Sequence, residues 1–508
     1  MGSMLNITFM LLFVSIGYIT SQEETNVIKH TDLSRESTLV WGPGLCTDFV
    51  VPARYFYIQA VDINQQNFSE SLGDIFEVKL SQQGGGPARV WVQTLDRKDG
   101  TYLVRFKPFS TYKDVHISIF HEGRHVAQSP YLLRGQVYHE NCYCPEASLE
   151  KWYENMKCPD SYSQIESDLS VFNSVDMSKV VKEAVQRFNQ AGTHSICHYA
   201  VVTNKVYRTC YGQHVGFKMF MDNILLSLTR KVLLPDFELI VNLGDWPLEK
   251  RAATNSPLPL FSWCGSTETS DIVMPTYDLT EASLECMGRV TLDMLSVQAN
   301  TGPQWQNKTS KAFWRGRDSR QERLDLVTMS RQHPDKIDAA LTNFFFFRDQ
   351  EDVYGPKVKP VSFFDFFKHK YQVNLDGTVA AYRLPYLLAG DSLVLKQNSQ
   401  YYEYFYSDLQ PMVHYIPFQR DLRDLMEKLD WAIAHDDYAQ EIAQNAQAYT
   451  RSNLMPADVF CYHVKLFQEW SKRVASKAKV AKGMDLVPQS SDSCDCDRQV
   501  NKQNKDEL

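Results

Sequence analysis

The sequence predicts a two-part chain: an antiparallel β-sandwich of about 100 residues, then a larger α/β region of sheets flanked by helices. Three observations carry this. Short apolar runs with period-two alternation recur between Trp41 and Gly135, separated by turn residues. After Cys142 the pattern changes to apolar residues at three- and four-residue spacing, alternating with short buried-type runs. The length of 508 residues exceeds what one hydrophobic core fills. Apolar and aromatic contents of 44% and 12% exclude a largely disordered chain. A net charge of -8 argues against a nucleic-acid or anionic-membrane partner.

Residues 1–21 read as a signal peptide, with an apolar run from Met4 to Ile19 and small or polar residues around Gly17 to Gln22 for cleavage. The segment departs from the usual pattern in having no Lys or Arg before the run. At the other end, Lys505-Asp506-Glu507-Leu508 is the KDEL address of the endoplasmic reticulum. Together they predict a resident of that lumen, with the KDEL receptor as a partner; the alternative is a buried N-terminal strand and an accidental KDEL. No later stretch approaches the ~20 apolar residues of a membrane span. The 11 cysteines are expected to form disulfides there, an odd count leaving at least one thiol unpaired. Asn67 and Asn307 open glycosylation sequons, and Asn6 opens a third inside the segment to be removed.

Residues 24–40 are polar and loose. The sandwich, assigned to 24–135, takes its strands from Tyr55–Val61, Ile75–Leu80, Arg89–Gln93, Tyr102–Phe106 and Val115–Phe120. Gly84-Gly85-Gly86-Pro87, Asp99-Gly100 and Glu122-Gly123 supply turns. The closing stretch His125–Tyr131 resembles the last strand of filamin-type immunoglobulin-like repeats. The sandwich holds no nucleophile–base pair or metal cluster. It is either a passive module or a surface that docks and orients partners, and a cleft in the following region is expected to be complete without it.

Residues 140–482 are expected to hold two α/β layers with parallel sheets. Met177–Gln190, Phe217–Lys231, Arg320–Arg331, Leu422–Ala434 and Tyr438–Tyr449 read as helices. Phe237–Leu243, Leu258–Cys264 and Ser392–Lys396 read as buried strands. Residues 483–508 are polar and read as a flexible tail.

Three clusters could carry chemistry. Asp245 follows the strand Phe237–Leu243 within Gly244-Asp245-Trp246-Pro247. Ligands of open α/β sheets bind beyond the carboxyl ends of strands, so this carboxylate could take a proton from a hydroxyl acceptor; the alternative is an Asx-turn residue. Ala312–Arg323 runs from a strand through Gly316 to a Ser/Asp cap and a helix, carrying Arg315, Arg317, Arg320 and Arg323. A helix N-terminus beside four guanidinium groups suits a diphosphate; a solvated charge run is the other reading. Asp376–Arg383 puts Gly377 and Thr378 at the start of a small-residue helix with Arg383 beyond, which fits close approach to a ligand or plain packing. Cys142-x-Cys144, Cys158, His194 and Cys197-His198 have zinc-like spacing, but an oxidising lumen favours disulfides.

With these residues the chain resembles the protein O-glucosyltransferases of the CAP10-like glycosyltransferase family 90. Phe237–Pro247, Phe261-Ser262-Trp263, Trp314–Arg323, Thr378–Arg383 and Val413–Pro417 carry the resemblance. The sandwich and KDEL end are similar to its KDEL-motif-containing branch. The resemblance implies a GT-B-type fold of two facing Rossmann-like domains. It also implies transfer of glucose from UDP-glucose, with inversion and without a metal cofactor, to Ser of epidermal-growth-factor-like repeats in secreted or cell-surface proteins such as Notch-like receptors and matrix proteins. Asp245 matches the catalytic base. Arg315, Arg317, Asp318, Ser319, Arg320 and Arg323 match one donor-binding segment, and Thr378, Val379, Ala380, Ala381, Tyr382 and Arg383 match the second.

Departures from the founding branch occur at Arg317 and Asp318, where that branch has Ser and Arg, and near Ala389, where it has a Cys. The stretch Cys210-Tyr211-Gly212 aligns poorly with its acceptor-contacting residues. The one Asp-x-Asp, Asp495-Cys496-Asp497, lies in the tail, whereas metal-dependent glycosyltransferases commonly carry such a motif in the core. The resemblance further suggests disulfides Cys142–Cys461 and Cys144–Cys158. The alternatives to this activity are a UDP-xylose-using transferase and a non-catalytic lectin or chaperone-like protein.

Overall fold

Residues 32–496 are described by a computed structural model, apart from 83, 85, 87, 252–255, 285–291 and 491–493. The expected signal peptide, the Asn6 sequon, Cys286 and the KDEL end lie outside the described residues.

Alternating apolar residues form eight strands: β1 (Leu39–Trp41), β2 (Arg54–Gln59), β3 (Glu77–Ser81), β4 (Val90–Asp96), β5 (Thr101–Pro108), β6 (Tyr112–His121), β7 (Arg124–His125) and β8 (Tyr131–Val137). They make two antiparallel sheets, β1-β2-β5-β4 and β3-β6-β7, with β8 also on β6. Phe56, Ile58, Tyr102, Val104, Phe106, Ile117 and Ile119 fill the space between them. The last strand starts at Tyr131, where the expected closing strand ends, because Ala127 takes a left-handed φ of 52° and breaks the chain after β7.

Strands β2 and β5 are apolar on both faces. Tyr55 and Leu103, alternating with the sandwich core, join Phe49, Val51 and Leu95 in the hydrophobic cluster of the α/β region. The two parts therefore share a core, and excising the sandwich would expose these side chains, against the expectation of a separable module.

The first α/β half contains β9 (Ile196–Val202), β10 (Lys205–Tyr211), β11 (Phe237–Asn242), β12 (Leu260–Ser262), β13 (Gly265–Ser266) and β14 (Ile272–Val273). Its sheet is mixed, where parallel strands were expected. β11, β12 and β14 are parallel, but β9 pairs antiparallel with both β10 and β11. The cause is the two-residue turn Thr203-Asn204, whose φ values of 50° and 57° return the chain as a tight hairpin.

The second half contains β15 (Thr309–Arg317), β16 (Ile337–Asn343), β17 (His369–Asn374), β18 (Leu393–Gln397), β19 (Tyr401–Tyr402) and β20 (Ile416–Phe418). Its five-stranded sheet, β16-β15-β17-β18-β20, is wholly parallel. Trp314, Leu324, Leu341, Tyr371, Leu395 and Leu429 belong to a separate core here. The ribbon β13–β19 links the halves. Helix Pro456–Ser471 then returns to the first half, where Trp470 Nε1 donates to the Glu238 carbonyl at 2.7 Å. Two facing α/β halves of this kind form a GT-B-type region. Among the described residues no helix is long and apolar enough to cross a membrane.

The described part of the expected tail is tied down. Asp485–Leu486 forms β21 on the edge of β10, and Gln489 Nε2 donates to Thr229 Oγ1 at 2.7 Å. Beyond it, Cys494 bonds Cys142 and Cys496 bonds Cys144. Cys158 pairs with Cys461, and Cys197 with Cys210 across β9–β10. This replaces the Cys142–Cys461 and Cys144–Cys158 pairing. Two thiols separated by one residue meet two others of the same spacing, 352 residues away. Cys46 and Cys264 are free. The zinc alternative fails, since its four cysteines are all disulfide-bonded and His198 Nε2 bonds Glu238 Oε2 at 2.8 Å.

Candidate functional site

A cleft of about 490 Å³ opens between the halves, lined from one side by Asp245 and Tyr277 and from the other by Arg315, Arg317, Ser319, Arg323 and the loop Gly377–Arg383. Each segment lies at or just past the carboxyl end of a strand: β11, β14, β15 and β17 respectively. That is where open α/β sheets leave backbone groups and loops free for a ligand.

Asp245 reaches the cleft because Asn242 takes the turn role. Asn242 Oδ1 accepts from Gly244 N at 2.8 Å, and its Nδ2 donates to the Trp246 carbonyl at 2.6 Å. The Asx-turn reading thus belongs to Asn242, three residues earlier. Asp245 Oδ1 accepts from the Tyr277 hydroxyl at 3.2 Å. Tyr277 opens helix Tyr277–Leu284 and is wedged by Phe220, stacked at 4.8 Å, and by edges of Phe217, Trp263 and Tyr382. Burial and the Asp245 charge push the Tyr277 phenol up, so it stays a donor.

Across the cleft, helix Gln321–Gln332 begins without a side-chain cap. Its first-turn Arg323 is buried over the Trp314 ring and donates to the carbonyls of Asp376 at 2.7 Å, Arg317 at 3.0 Å and Leu375 at 3.2 Å. Arg383 donates to the Arg315 carbonyl at 2.7 Å. Burial, with neighbouring guanidinium groups around Arg323, pushes Arg323 down to about 9 and Arg383 to about 10. Both remain cations at neutral pH, in surroundings that an arriving anion would relieve. Ser319 Oγ is buried at the same wall with no hydrogen-bond partner among the described residues. A Cβ on Gly377 would lie 3.3 Å from Arg323 Nη2, so glycine keeps this wall open. The arrangement suits a diphosphate: preorganised cations, an unused hydroxyl and the start of a helix.

Not every expected residue faces the cleft. Asp318 is buried behind it, where its carboxylate accepts from Phe345, Phe346 and Phe347 N–H at 2.6–2.9 Å and so shapes that loop. Arg320 turns to the Gly377 and Thr378 carbonyls and the Tyr401 ring, bracing the Thr378–Arg383 segment from outside. Arg315 lines the cleft but is tied to Asp338 at 2.8 Å. Arg317 is exposed, with no ion pair among the described residues. Thr378–Arg383 is a turn and not the expected helix: Gly377 N donates to the Val379 carbonyl, and the helix starts at Leu384, ahead of Pro385. Sequence reasoning missed Tyr277, Asp278, Phe363, Phe366 and Tyr386, which also line the cleft. For Tyr277 and Asp278 the available signal was their place just past a third short apolar run, Ile272–Met274.

One close group of metal-capable side chains exists among the described residues, His139, Cys142 and Cys494, and its two thiols are joined as a disulfide.

Comparison with known proteins follows the same division. Residues 153–508 match the profile of Glycosyl transferase family 90, and residues 32–132 that of the Filamin/ABP280 repeat. The chain is 57% identical over 479 residues to Protein O-glucosyltransferase 2 of Danio rerio, covering 94% of this chain and 95% of the relative. It is 49% identical over 486 residues to Protein O-glucosyltransferase 3 of Homo sapiens, with coverage of 94% and 95%. Protein O-glucosyltransferase 1 of Homo sapiens is 31% identical over 352 residues, covering 67% of this chain and 87% of that protein.

Proposed function

The chain belongs to glycosyl transferase family 90, and from that premise we propose that it transfers glucose from UDP-glucose to a serine hydroxyl of folded epidermal-growth-factor-like repeats. The observation that carries the reading is the opposition of one carboxylate, Asp245, to Arg323, Arg383 and Ser319 across one cleft.

In this scheme the serine Oγ attacks C1 of the glucose from the face opposite UDP. The Oγ–C1 bond forms as the C1–O bond to the diphosphate breaks, inverting C1. Asp245 takes the hydroxyl proton, since serine alone is a poor nucleophile at neutral pH. The additional negative charge that develops on the β-phosphate of the leaving UDP is met by Arg323, Arg383, Ser319 and the helix N–H groups. These cations could serve where other transferases use a metal. Four disulfides fit an oxidising compartment, and we assign the reaction to the lumen of the endoplasmic reticulum.

The test is a donor panel of UDP-sugars with one folded repeat as acceptor. Glucose transfer to serine is expected, with UDP-xylose weaker. Transfer of xylose alone would redirect the donor assignment, and hydrolysis without transfer would remove the acceptor.

A further inference from the structure

We infer that Arg105, on the β-sandwich, is a positioning residue for the donor side of the cleft, acting through Asp293 and the short helix Met294–Gln298. The inference rests on the reading above that the cleft takes a UDP-sugar.

Arg105 lies mid-way along β5, on the face that alternation turns away from the sandwich core. Its guanidinium lies over the Trp91 ring at 5.0 Å, and its Nε donates to Gln93 Oε1 at 2.9 Å, so two β4 residues fix its direction. The fork then crosses into the α/β region. Nη1 donates to both Asp293 oxygens at 3.1 and 3.0 Å, and Nη2 to Ser296 Oγ at 3.0 Å. Both partners of the ion pair are buried, Arg105 at 7% and Asp293 at 6% exposure, so solvent screens the pair little.

Asp293 does two jobs with one carboxylate. Besides receiving Arg105, it caps helix Met294–Gln298 by accepting from Leu295 N at 2.9 Å and Ser296 N at 2.8 Å. Its preceding residue, Leu292, is part of the cleft wall. The capped helix packs on Leu384–Ala389, the helix that starts directly after Arg383 and carries Tyr386 of the wall. A shift of Asp293 therefore moves Leu292 across one peptide unit and disturbs the seat of Arg383 by packing. Tyr55, Leu95 and Leu103 flank the bridge within the shared core, so the sandwich delivers Arg105 from a rigid platform. Asp245 and Tyr277 sit on the opposite wall and make none of these contacts.

The experiment compares full-length wild type with Arg105→Lys and Arg105→Met, measuring UDP affinity by calorimetry, the acceptor KM, and Tm. Lysine keeps the charge but loses the fork to Ser296; methionine strands the buried Asp293. We expect UDP binding to weaken about 3-fold in R105K and at least about 10-fold in R105M, with the acceptor KM unchanged. If R105M does not fold, R105K carries the test. UDP affinity equal to wild type in R105K, or in a folded R105M with only Tm lowered, overturns the inference by reducing the bridge to interdomain glue. An equal rise in acceptor KM also overturns it, as general loosening. A wild-type chain that binds no UDP sinks the donor reading itself, a result distinguishable from the others.

Discussion

The Tyr277 hydroxyl donates to Oδ1 of Asp245 at 3.2 Å, and among the described residues the second carboxylate oxygen accepts no hydrogen bond. One oxygen is held and the other is available. Tyr277→Phe keeps the ring packing and removes the tether. We expect kcat to fall about 3- to 10-fold with UDP affinity unchanged, in line with loss of one hydrogen bond. Wild-type kcat in Y277F would show that the tether does not orient the base.

Arg383 provides a test of the anion wall. Arg383→Ala is expected to weaken UDP binding by about 1.5–3 kcal/mol, the worth of charge-assisted hydrogen bonds to phosphate. Chelator is expected to leave wild-type transfer intact. Loss of activity in chelator, restored by Mn²⁺, would contradict neutralisation by side chains alone.

Buried Glu403 gives a pH signature. Its Oε1 accepts from Tyr406 at 3.2 Å and its Oε2 has no hydrogen-bond partner among the described residues. Burial pushes the carboxyl up to about 8, Tyr406 and Lys396 oppose the shift and Asp278 adds to it. Between the ordinary glutamate value and about 8, the unfolded chain has released this proton while the folded chain keeps it. Its contribution to stability is thus full at acid pH and lost as pH rises through about 8. Relative to wild type, Glu403→Gln is expected to gain several degrees in Tm on going from about pH 5 to pH 8. Parallel Tm curves for the two proteins would show that Glu403 is ionised in the fold.

The paired disulfides are checked by peptide mapping under non-reducing conditions. A fragment holding Cys142 and Cys144 should be linked twice to one holding Cys494 and Cys496, and Cys158 to Cys461. Replacing Cys494 and Cys496 by Ser is expected to cost about 2 kcal/mol or more, since the closed loop spans most of the chain. A Cys142–Cys461 link would contradict the connectivity.

What was legible in the sequence depended on how local its cause is. Asp245 could be found because a buried run and a Gly/Pro turn are adjacent, and Arg323 because a helix start and its arginines fall within nine residues. Asp318 stands in the same cluster, yet its side chain is spent on Phe345–Phe347, and nothing within the cluster tells the two directions apart. Tyr277 meets Asp245 only after β12, β13 and β14 intervene, so their pairing is a property of the sheet. The disulfides join residues 352 apart and were misread for the same reason. The sandwich interface was nearly legible: Tyr55-Phe56-Tyr57-Ile58 is apolar on both faces, whereas a sheet with one wet face alternates with polar residues.

The central claim is that Asp245 acts as the base, and Asp245→Asn tests it most directly. Asparagine keeps the shape but cannot take the serine proton. Serine transfer should fall by at least about 100-fold while UDP-glucose affinity stays within a few-fold of wild type. Transfer within a few-fold of wild type would contradict the account and remove Asp245 from the mechanism.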